Sequence, residues 1–494
     1  MTRRFISVLL TIVIVLCCFS VQADEGEKTS GLFSYRLKGN GKAVITGYNW
    51  RNNNENDIYV PKQIDGYDVT EIGDWAFSSS DRAGIPYEEP KTTETMFNDY
   101  IGDAVTVVLP DTITSIGEKA FFCTRITSIT IPQSCQFIGK GAFAGCFRIS
   151  NYSVASGNNT FAVIDGVLYN KKTKALISYP RGKQSNETII IPEGITEIGD
   201  YAFYGIGFSE HWTSDLSLSI PSTVKKLGEN VFSFTHLTNT TDFSSIEELG
   251  DYCFYNSKLD ESVSKTFTSV KSIGNYAFKR VIFEGSGTFV FSSSLETIGI
   301  ESFGFSQWAR DYDTIDLSET KITTISESAF YGVETDKITT TIILPSHLAT
   351  IEKKAFGKIG GSFNTITIHI PSSVKTIGPN AFSYAGFSEF SFDEDSELQS
   401  IEDFAFYNVS GFLNNKLEIT LPTGLKSLGD YCFHSERIEK VSIPATVTQI
   451  GENVCDRDYT QLEVEPDSFA AFYALENGIP IIYLGDDDMS WLND

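Results

Sequence analysis

Ile129-Thr130-Ile131-Pro132 and Ile138-Gly139-Lys140-Gly141-Ala142-Phe143 are two neighbouring phrases that decide the fold of this chain. Both phrases recur with small changes along its 494 residues. Copies of the second phrase begin at Ile72, Ile116, Ile138, Ile198, Leu227, Leu249, Ile273, Ile298, Ile325, Ile351, Ile377, Ile401, Leu428 and Ile450. The usual interval is about 22 to 27 residues, which is typical of a solenoid of stacked, similar coils.

Each phrase predicts one part of a coil. The alternating apolar run predicts a short strand, which ends at the proline because proline lacks an amide hydrogen and fixes φ. In the second phrase, the Ile and the Ala four residues later share one face of a tight helical or 3₁₀ turn, and the Phe fills the interior. A unit buries two or three large side chains at roughly 1.5–3 kcal/mol each, against about 1–2 kcal/mol of backbone entropy per ordered residue. Coils therefore depend on their neighbours, and the ends need caps.

Together the two phrases resemble the BspA-type (Treponema-type) leucine-rich repeat, and the resemblance covers residues 69–464. It implies a repeat solenoid: a β-rich leucine-rich-repeat horseshoe with short strands, helical or 3₁₀ turns and end caps. It also implies a class of bacterial and protist surface proteins that are often linked to adhesion and to contact with host or matrix. It does not imply an enzyme.

The sequence divides into four segments. They are a signal peptide over 1–23, an N-terminal cap with a β-hairpin over 24–68, a solenoid of about 14 or more repeats over 69–464, and a C-terminal cap with an acidic tail over 465–494. Two insertions interrupt the repeat. Residues 78–103 are polar and predict an exposed loop, whereas 155–186 contain alternating apolar runs that predict a hairpin built into one coil.

The N-terminus predicts export. Arg3 and Arg4 precede an apolar run that ends before Ala23, which fits a signal peptide cleaved after Ala23 and a secreted or cell-surface protein. The run is too short for a comfortable membrane span, and no second apolar run of spanning length follows. A lipoprotein that carries its lipid on Cys17 or Cys18 is the alternative, although no small residue precedes either cysteine in the usual way.

The composition is strongly acidic. The formal net charge is −26, and cleavage after Ala23 would make it −28 because Arg3 and Arg4 are lost. This balance argues against a nucleic-acid partner and favours cationic partners, although the solvated exterior of a secreted protein is the preferred explanation. The acidic run Asp393-Glu394-Asp395 lacks the spacing of a dedicated calcium loop, so we expect neither a metal nor another cofactor.

Six cysteines would remain after cleavage. Cys253 and Cys432 occupy the small position of the repeat and Cys455 occupies its Phe position, which predicts buried thiols. Cys123 and Cys146 both follow the Phe position of adjacent units, so stacking could join them in a disulfide. Buried thiols and a single bridge both remain open for this pair.

The segments that follow the repeat Phe are rich in aromatic residues and glycine. Because they occupy the same place in successive coils, we expect them to line one edge of the solenoid, and aligned segments often form the binding face of a repeat protein. The candidate contact residues are Phe208, Trp212, Trp308 and Phe387. The alternative interpretation is that the rings fold back and seal the edge.

Motifs for catalysis are absent from the sequence, and the five histidines share no spacing. The leading hypothesis is a non-catalytic, adhesin-like protein that binds a protein or glycan partner, host and extracellular-matrix molecules included. The alternatives are a scaffold of the cell envelope with no host-directed role and a polysaccharide hydrolase. The sequence leaves the oligomeric state open.

Overall fold

The computed structural model describes residues 26–50, 56–78, 105–183, 188–206, 216–238, 241–335, 337–360, 364–411 and 416–484. They form a β-solenoid of about 15 turns with few helices. Each coil has a long-strand side, a short-strand side and a turn side. The predicted signal peptide and most of the 78–103 insertion lie outside the described residues.

The strands follow the two phrases of the sequence. The long-strand side contains Asp57–Tyr59, Val105–Val108, Ile126–Ile131, Asn151–Val154, Ile189–Ile190, Leu218–Ser219, His236–Leu237, Lys258–Leu259, Ile282–Val290, Gln307–Asp316, Glu334–Thr335, Thr339–Ile343, Thr365–Ile370, Gly386–Phe392, Ser410–Gly411, Leu417–Thr420, Ile438–Ile443, Gln461–Val464 and Ile481–Tyr483. The short-strand side contains Tyr67–Ile72, Ser115–Ile116, Phe137–Ile138, Ala175–Ser178, Glu197–Ile198, Lys226–Leu227, Glu248–Leu249, Ser272–Ile273, Thr297–Ile298, Thr324–Ile325, Thr350–Ile351, Thr376–Ile377, Ser400–Ile401, Ser427–Leu428 and Gln449–Ile450. Strands of successive coils pair in parallel, so equivalent residues such as Ile325 and Ile351 lie side by side.

The turn side differs from the prediction, because the Gly-x-x-Ala-Phe residues form consecutive turns and no helical or 3₁₀ segment. Alternate amides point to different partners. Tyr252 N–H donates to the Asn275 carbonyl of the next coil at 2.9 Å, and Phe254 N–H donates to Ala277 at 2.7 Å. Between them, Cys253 N–H donates within its own turn to Gly250 at 3.3 Å. We call this repeating pattern the turn ladder.

The turn ladder explains an unusual backbone conformation. The residue before the Ala position has φ near +55° in coil after coil, as at Tyr252 (56°), Tyr276 (58°) and Phe404 (59°). A left-handed conformation costs a residue other than glycine roughly 1–2 kcal/mol. In this fold it turns the amide toward the next coil, and the hydrogen bond between coils offsets that cost.

The interior is a stack of phenylalanine rings, one per coil. From Tyr179 to Phe433, consecutive rings have centroids 5.1–5.5 Å apart and planes within 21° of each other. These separations fall within the range of favourable offset stacking. The Phe of the repeat thus stabilises the contact between coils as well as the interior of its own coil.

Further elements flank the coils at both ends. At the N-terminus Lys28–Ser30, Phe33–Lys38 and Lys42–Tyr48 form an antiparallel sheet that continues into the solenoid, and Gln63–Ile64 pairs with Tyr67–Ile72. At the C-terminus the helix Phe469–Asn477 begins at Ser468, whose hydroxyl accepts from Ala471 N–H, and ends at Gly478 with φ 66°. Its alanines are buried, whereas the Phe469 and Phe472 rings face outward.

The insertion at 155–186 contains the predicted hairpin. Phe161–Ile164 and Val167–Asn170 pair antiparallel, and Ala175–Ser178 then joins the short-strand side beside Glu197–Ile198. The region after Ser257, where the strand signal is weak, contains a short helix over Glu261–Ser264.

Candidate functional site: the aromatic turn edge

Two of the four predicted contact residues lie in the core of the structure. Trp308 and Phe387 are each only 1% exposed. The Trp308 ring packs 4.9 Å from Phe283 and 4.7 Å from Phe289, and its indole N–H donates to Ser306 Oγ at 2.8 Å. Phe208 and Trp212 lie outside the described residues. The interpretation of exposed rings therefore fails for Trp308 and Phe387, which seal the coil instead.

The physical reason is the position at which each strand begins. Trp308 is the second residue of the strand Gln307–Asp316, and Phe387 is the second residue of Gly386–Phe392. Successive side chains of a strand alternate between its faces, and in both strands this position faces inward. The exposed rings of the same segments come earlier, within the turn: Phe305 is 41% exposed and Tyr384 is 46% exposed.

The described part of the edge has an aromatic cluster near the C-terminal end of the solenoid. We define the edge patch as Tyr384, Phe404, Tyr407, Tyr431 and His434, which are all exposed or half-buried. Phe404 and Tyr431 stack with centroids 5.1 Å apart and planes 2° from parallel. Tyr407 and His434 stack at 5.9 Å and 10°. The patch is therefore two short rows of parallel rings.

The turn ladder creates this arrangement. Phe404 and Tyr431 occupy the left-handed position before the small residue of their repeats, with φ of 59° and 54°. Tyr407 and His434 follow the core Phe of the same coils. Because successive coils stack in register, equivalent side chains lie one above the other, and edge-to-face contacts link the two rows: Phe404 to Tyr407 at 5.5 Å and Tyr431 to His434 at 5.6 Å.

Polar groups border the patch. Asn453 Nδ2 donates to the Tyr431 hydroxyl at 2.9 Å. The Asp456 carboxylate lies 3.9 Å from His434 Nε2. Asn408 is exposed beside Tyr407. The surface combines aromatic faces with amide and carboxylate groups at its border.

The same edge is closed in the N-terminal half. Phe122, Tyr201, Tyr204, Phe234 and Tyr255 are at most 8% exposed and pack into one aromatic cluster. The Lys119 ammonium lies 5.1 Å from the Trp75 ring and 5.0 Å from the Tyr201 ring, which are cation–π distances. The alternative of sealed rings therefore describes these five residues, whereas Tyr384 of the edge patch is 46% exposed.

Sequence reasoning missed the position that supplies Phe404 and Tyr431. An available signal was the residue before the Ala position, which is aromatic in many copies of the phrase: Trp75, Tyr201, Tyr252, Tyr276, Phe404 and Tyr431. Because the coils stack in register, these rings lie in one row.

The six described cysteines are buried thiols, and the structure contains no disulfide among them. Cys146 Sγ lies 3.0 Å from the Phe121 carbonyl and 3.3 Å from Thr124 Oγ1. Burial raises the pKa of the Cys146 thiol to about 12. A thiol in this environment is a poor nucleophile, so we assign Cys146 a structural role.

One hydrogen-bonded row contains Ser, His and Asp. The His369 ring lies on the outer face of its strand, as the alternation predicts, and bonds Ser391 through Nδ1 at 2.8 Å and Asp393 through Nε2. Asp393 also accepts the Ser372 N–H at 2.8 Å. The row joins neighbouring coils on an exposed surface, and none of its residues lines the clefts beside Phe278 and Gly141. Its geometry fits a structural link better than a catalytic centre.

This row predicts a small pH-dependent contribution to stability. The hydrogen bond from His369 holds the pKa of Asp393 below its ordinary 3.8, so the carboxylate stabilises the fold above that pH and the contribution is lost as the pH falls through the lower, folded value. Asp393→Asn should cost about 0.5 kcal/mol at pH 7, because the pair is exposed, and less at pH 2, below the ordinary pKa of the carboxyl. Urea unfolding at both pH values measures this, with the exposed Asp395→Asn as control; an equal loss at both pH values would contradict it.

No group of three or more His, Cys, Asp or Glu side chains in the described ranges is arranged to hold a metal ion. Within the same ranges, no helix is both long and apolar enough to cross a membrane.

Comparison with known families agrees with this architecture. The sequence profile of the BspA type leucine rich repeat region matches residues 45–171, 181–284, 271–361 and 323–461, which together form most of the chain. A comparison with curated proteins gives no significant match.

Solved structures with a similar fold share little sequence with the chain. A leucine-rich repeat protein from Bacteroides ovatus is 19% identical, with 92% of this chain and 99% of that one covered and a TM-score of 0.45. A leucine rich cell surface protein from Faecalibacterium prausnitzii is 18% identical, with coverage of 95% and 97% and a TM-score of 0.32. The pneumococcal vaccine antigen PcpA is 14% identical, with coverage of 93% and 98% and a TM-score of 0.25.

Proposed function

The chain belongs to the BspA-type leucine-rich repeat family, and from this premise we propose that it is a secreted or cell-surface protein that binds a protein, matrix or glycan partner without catalysis. The observation that carries the proposal is the edge patch, in which aromatic rings of successive coils lie side by side and partly exposed. Aromatic side chains are the commonest anchors of binding surfaces because they bury a large area at a low cost in conformational entropy.

The chemistry of the patch supports a contact of this kind. Its rings present apolar area, while Asn408, Asn453 and Asp456 supply hydrogen-bonding groups at the border. Binding surfaces commonly combine an aromatic centre with a polar rim. The rigid turn ladder holds the rings in place before a partner arrives, which lowers the ordering cost of binding.

Export of the protein is supported by the sequence, since Arg3, Arg4 and the apolar run before Ala23 have the form of a signal peptide. Host and extracellular-matrix molecules are then accessible partners. The charge of −26 favours partners with a cationic surface and speeds their association at low salt.

Binding to an array of extracellular-matrix proteins and glycans tests the proposal. Residues 24–494, the chain expected after signal cleavage, should give a saturable signal. The double variant Tyr384→Ala/Tyr431→Ala should weaken it by about tenfold or more, because loss of a hot-spot ring costs upward of about 2 kcal/mol. Bound glycan should be recovered uncleaved.

Tyr59→Ala is the matched control, because Tyr59 is 66% exposed on another side of the solenoid and its loss should leave binding unchanged. Circular dichroism checks that both variants fold. A signal that the double variant keeps would place the contact elsewhere. The absence of any signal at micromolar protein would contradict the adhesin-like function and favour the envelope scaffold, and cleavage of a glycan would favour the hydrolase.

A further inference from the structure

The positive charge of this chain is concentrated in one segment. Residues 119–186 contain nine lysines and arginines and a single acid, Asp165, so the segment has a formal charge of +8. The whole chain carries −26, and the remaining residues therefore carry −34. A charge asymmetry of this size is typical of a local surface that attracts anions on an otherwise acidic protein.

Several of these cations have no carboxylate partner. In other coils, lysines reach carboxylates of neighbouring coils, as Lys271 reaches Glu247 at 2.6 Å. By contrast, Arg125, Arg148 and Lys183 form no ion pair with a carboxylate of the described residues. The fold therefore leaves their charge available to a ligand.

These cations lie at the corner between the turn side and the long-strand side. Arg125 comes directly before the strand Ile126–Ile131, and Arg148 comes shortly before Asn151–Val154. The two strands pair in parallel with a register that puts Arg125 and Arg148 at equivalent positions of adjacent coils. The two arginines thus lie at successive levels of the same corner.

The third coil packs closely on the second at this corner. Gly182 N–H donates to the Ile149 carbonyl at 2.6 Å, and a Cβ on Gly182 would lie 2.7 Å from the Arg148 carbonyl oxygen. Arg181 and Lys183 flank Gly182 and so follow Arg148 in the next coil. We define the basic corner as Arg125, Arg148, Arg181 and Lys183. Because neighbouring strands lie 4.7–4.9 Å apart, its three levels span roughly 10 Å.

Aromatic rings support two of the guanidinium groups. The guanidinium carbon of Arg181 lies 3.6 Å from the centroid of the Phe147 ring, and that of Arg125 lies 5.7 Å from the centroid of the Trp50 ring. Stacking uses the face of a guanidinium group, whereas an oxyanion binds to the N–H groups at its edge. The rings therefore orient the arginines without occupying the positions where an anion would bind.

The long strands beside the corner present uncharged polar groups. Ser128 and Thr130 of one strand pair with Asn151 and Ser153 of the next, and all four side chains are exposed or half-buried. We call these four residues the polar strip. Their hydroxyl and amide groups match the hydroxyls of sugars, whereas a lipid or an apolar peptide would need apolar contact area.

We propose that the basic corner and the polar strip bind an acidic polysaccharide, one whose sugars carry carboxylate or sulfate groups. The corner supplies cations for the acidic groups, and the strip supplies hydrogen bonds to the sugar hydroxyls. A narrow polysaccharide chain follows the corner, whereas a long nucleic acid would also face the −34 charge of the remaining residues. The site is separate from the edge patch, so either proposal can fail without the other.

Fluorescence anisotropy with end-labelled hexasaccharides tests the proposal on the chain 24–494. A heparin hexasaccharide, which carries sulfate and carboxylate, or a hyaluronan hexasaccharide, which carries carboxylate alone, should bind saturably, whereas neutral maltohexaose should not. The binding should be lost in 1 M salt, where the Debye length falls to about 3 Å.

Charge reversal locates the site. Arg148→Glu/Lys183→Glu should weaken the binding about tenfold or more, because two charge-assisted contacts are lost. Lys321→Glu/Lys375→Glu is the matched control, since it makes the same change in net charge at two exposed lysines of later coils and should leave binding unchanged. Arg148→Gln/Lys183→Gln should weaken binding by less than the reversal, and it replaces the reversed variant if circular dichroism shows that the latter is unfolded.

Other results would overturn the proposal. Hexasaccharide binding that the reversed variant keeps would place the site elsewhere, and binding that 1 M salt leaves unchanged would contradict the charge argument. A labelled hexaglutamate peptide that binds as tightly as the hexasaccharides would show that the corner binds any anion and does not recognise a sugar. Failure of both acidic hexasaccharides to bind would also contradict the proposal. The Tyr384→Ala/Tyr431→Ala variant should retain the binding, which separates this site from the edge patch.

Discussion

Trp308→Ala is expected to lower the free energy of unfolding by about 3–5 kcal/mol, the usual cost of truncating a large buried aromatic residue. The ring is 1% exposed and fills the space between Phe283 and Phe289, so its removal leaves a cavity in the core. The substitution also removes the indole N–H that donates a hydrogen bond to the buried Ser306 hydroxyl. Urea unfolding followed by far-ultraviolet circular dichroism measures the loss.

Phe305→Ala is the control for this change, because Phe305 lies three residues earlier on the same edge and is 41% exposed. Its loss should cost less than about 1 kcal/mol, as expected for an exposed side chain. If Trp308→Ala left stability unchanged and removed ligand binding instead, Trp308 would be a surface contact and the assignment to the core would be wrong.

Gly250→Ala is expected to cost about 2–3 kcal/mol, as overpacking in a rigid environment does. A Cβ at this position would lie 2.5 Å from the carbonyl carbon and oxygen of Gly228 in the preceding coil. Backbone on that side cannot rotate away, so the two coils must separate. The hydrogen bond from Gly250 N–H to Leu227, 2.9 Å long, would then lengthen.

Two other glycines calibrate this effect. At Gly378 the nearest backbone atoms lie 3.0 Å from an added Cβ, so Gly378→Ala should cost less than Gly250→Ala. At Gly424 the nearest atom is the Ser396 oxygen at 3.3 Å, so Gly424→Ala should change stability by less than about 1 kcal/mol. Thermal unfolding of the three variants should rank them in this order. Equal stability of all three would show that the coils are not packed as closely as described.

Much of the fold could be predicted from sequence because each coil repeats the same two short sequence motifs. The period predicts stacked coils, the alternating run before Pro132 predicts a strand, and Phe143 predicts the interior stack. The hairpin at Phe161–Asn170 follows from two apolar runs around a polar turn. These features depend on residues that are close in sequence, so a local sequence pattern is enough to predict them.

The turn side could not be predicted in the same way. Its left-handed residues, such as Tyr252 and Phe404, lack the glycine that usually marks this conformation, because hydrogen bonds to the next coil impose it. Whether Trp308 and Phe387 are buried or exposed depends on the residue at which their strand begins. A shift of one residue would move each side chain to the opposite face of the strand. Each of these outcomes depends on how one coil packs against the next, which a local sequence pattern does not show.

The central claim is that the rings of the aromatic edge divide into a core set and an exposed set, and that the exposed set forms the binding surface. Hydroxyl-radical footprinting of the free protein, read by mass spectrometry, tests this division directly. We predict rapid oxidation of Phe305, Tyr384 and Tyr431 and strong protection of Trp308 and Phe387. Oxidation of Trp308 as fast as that of Tyr384 would contradict the account and return the contact surface to the residues that the sequence first indicated.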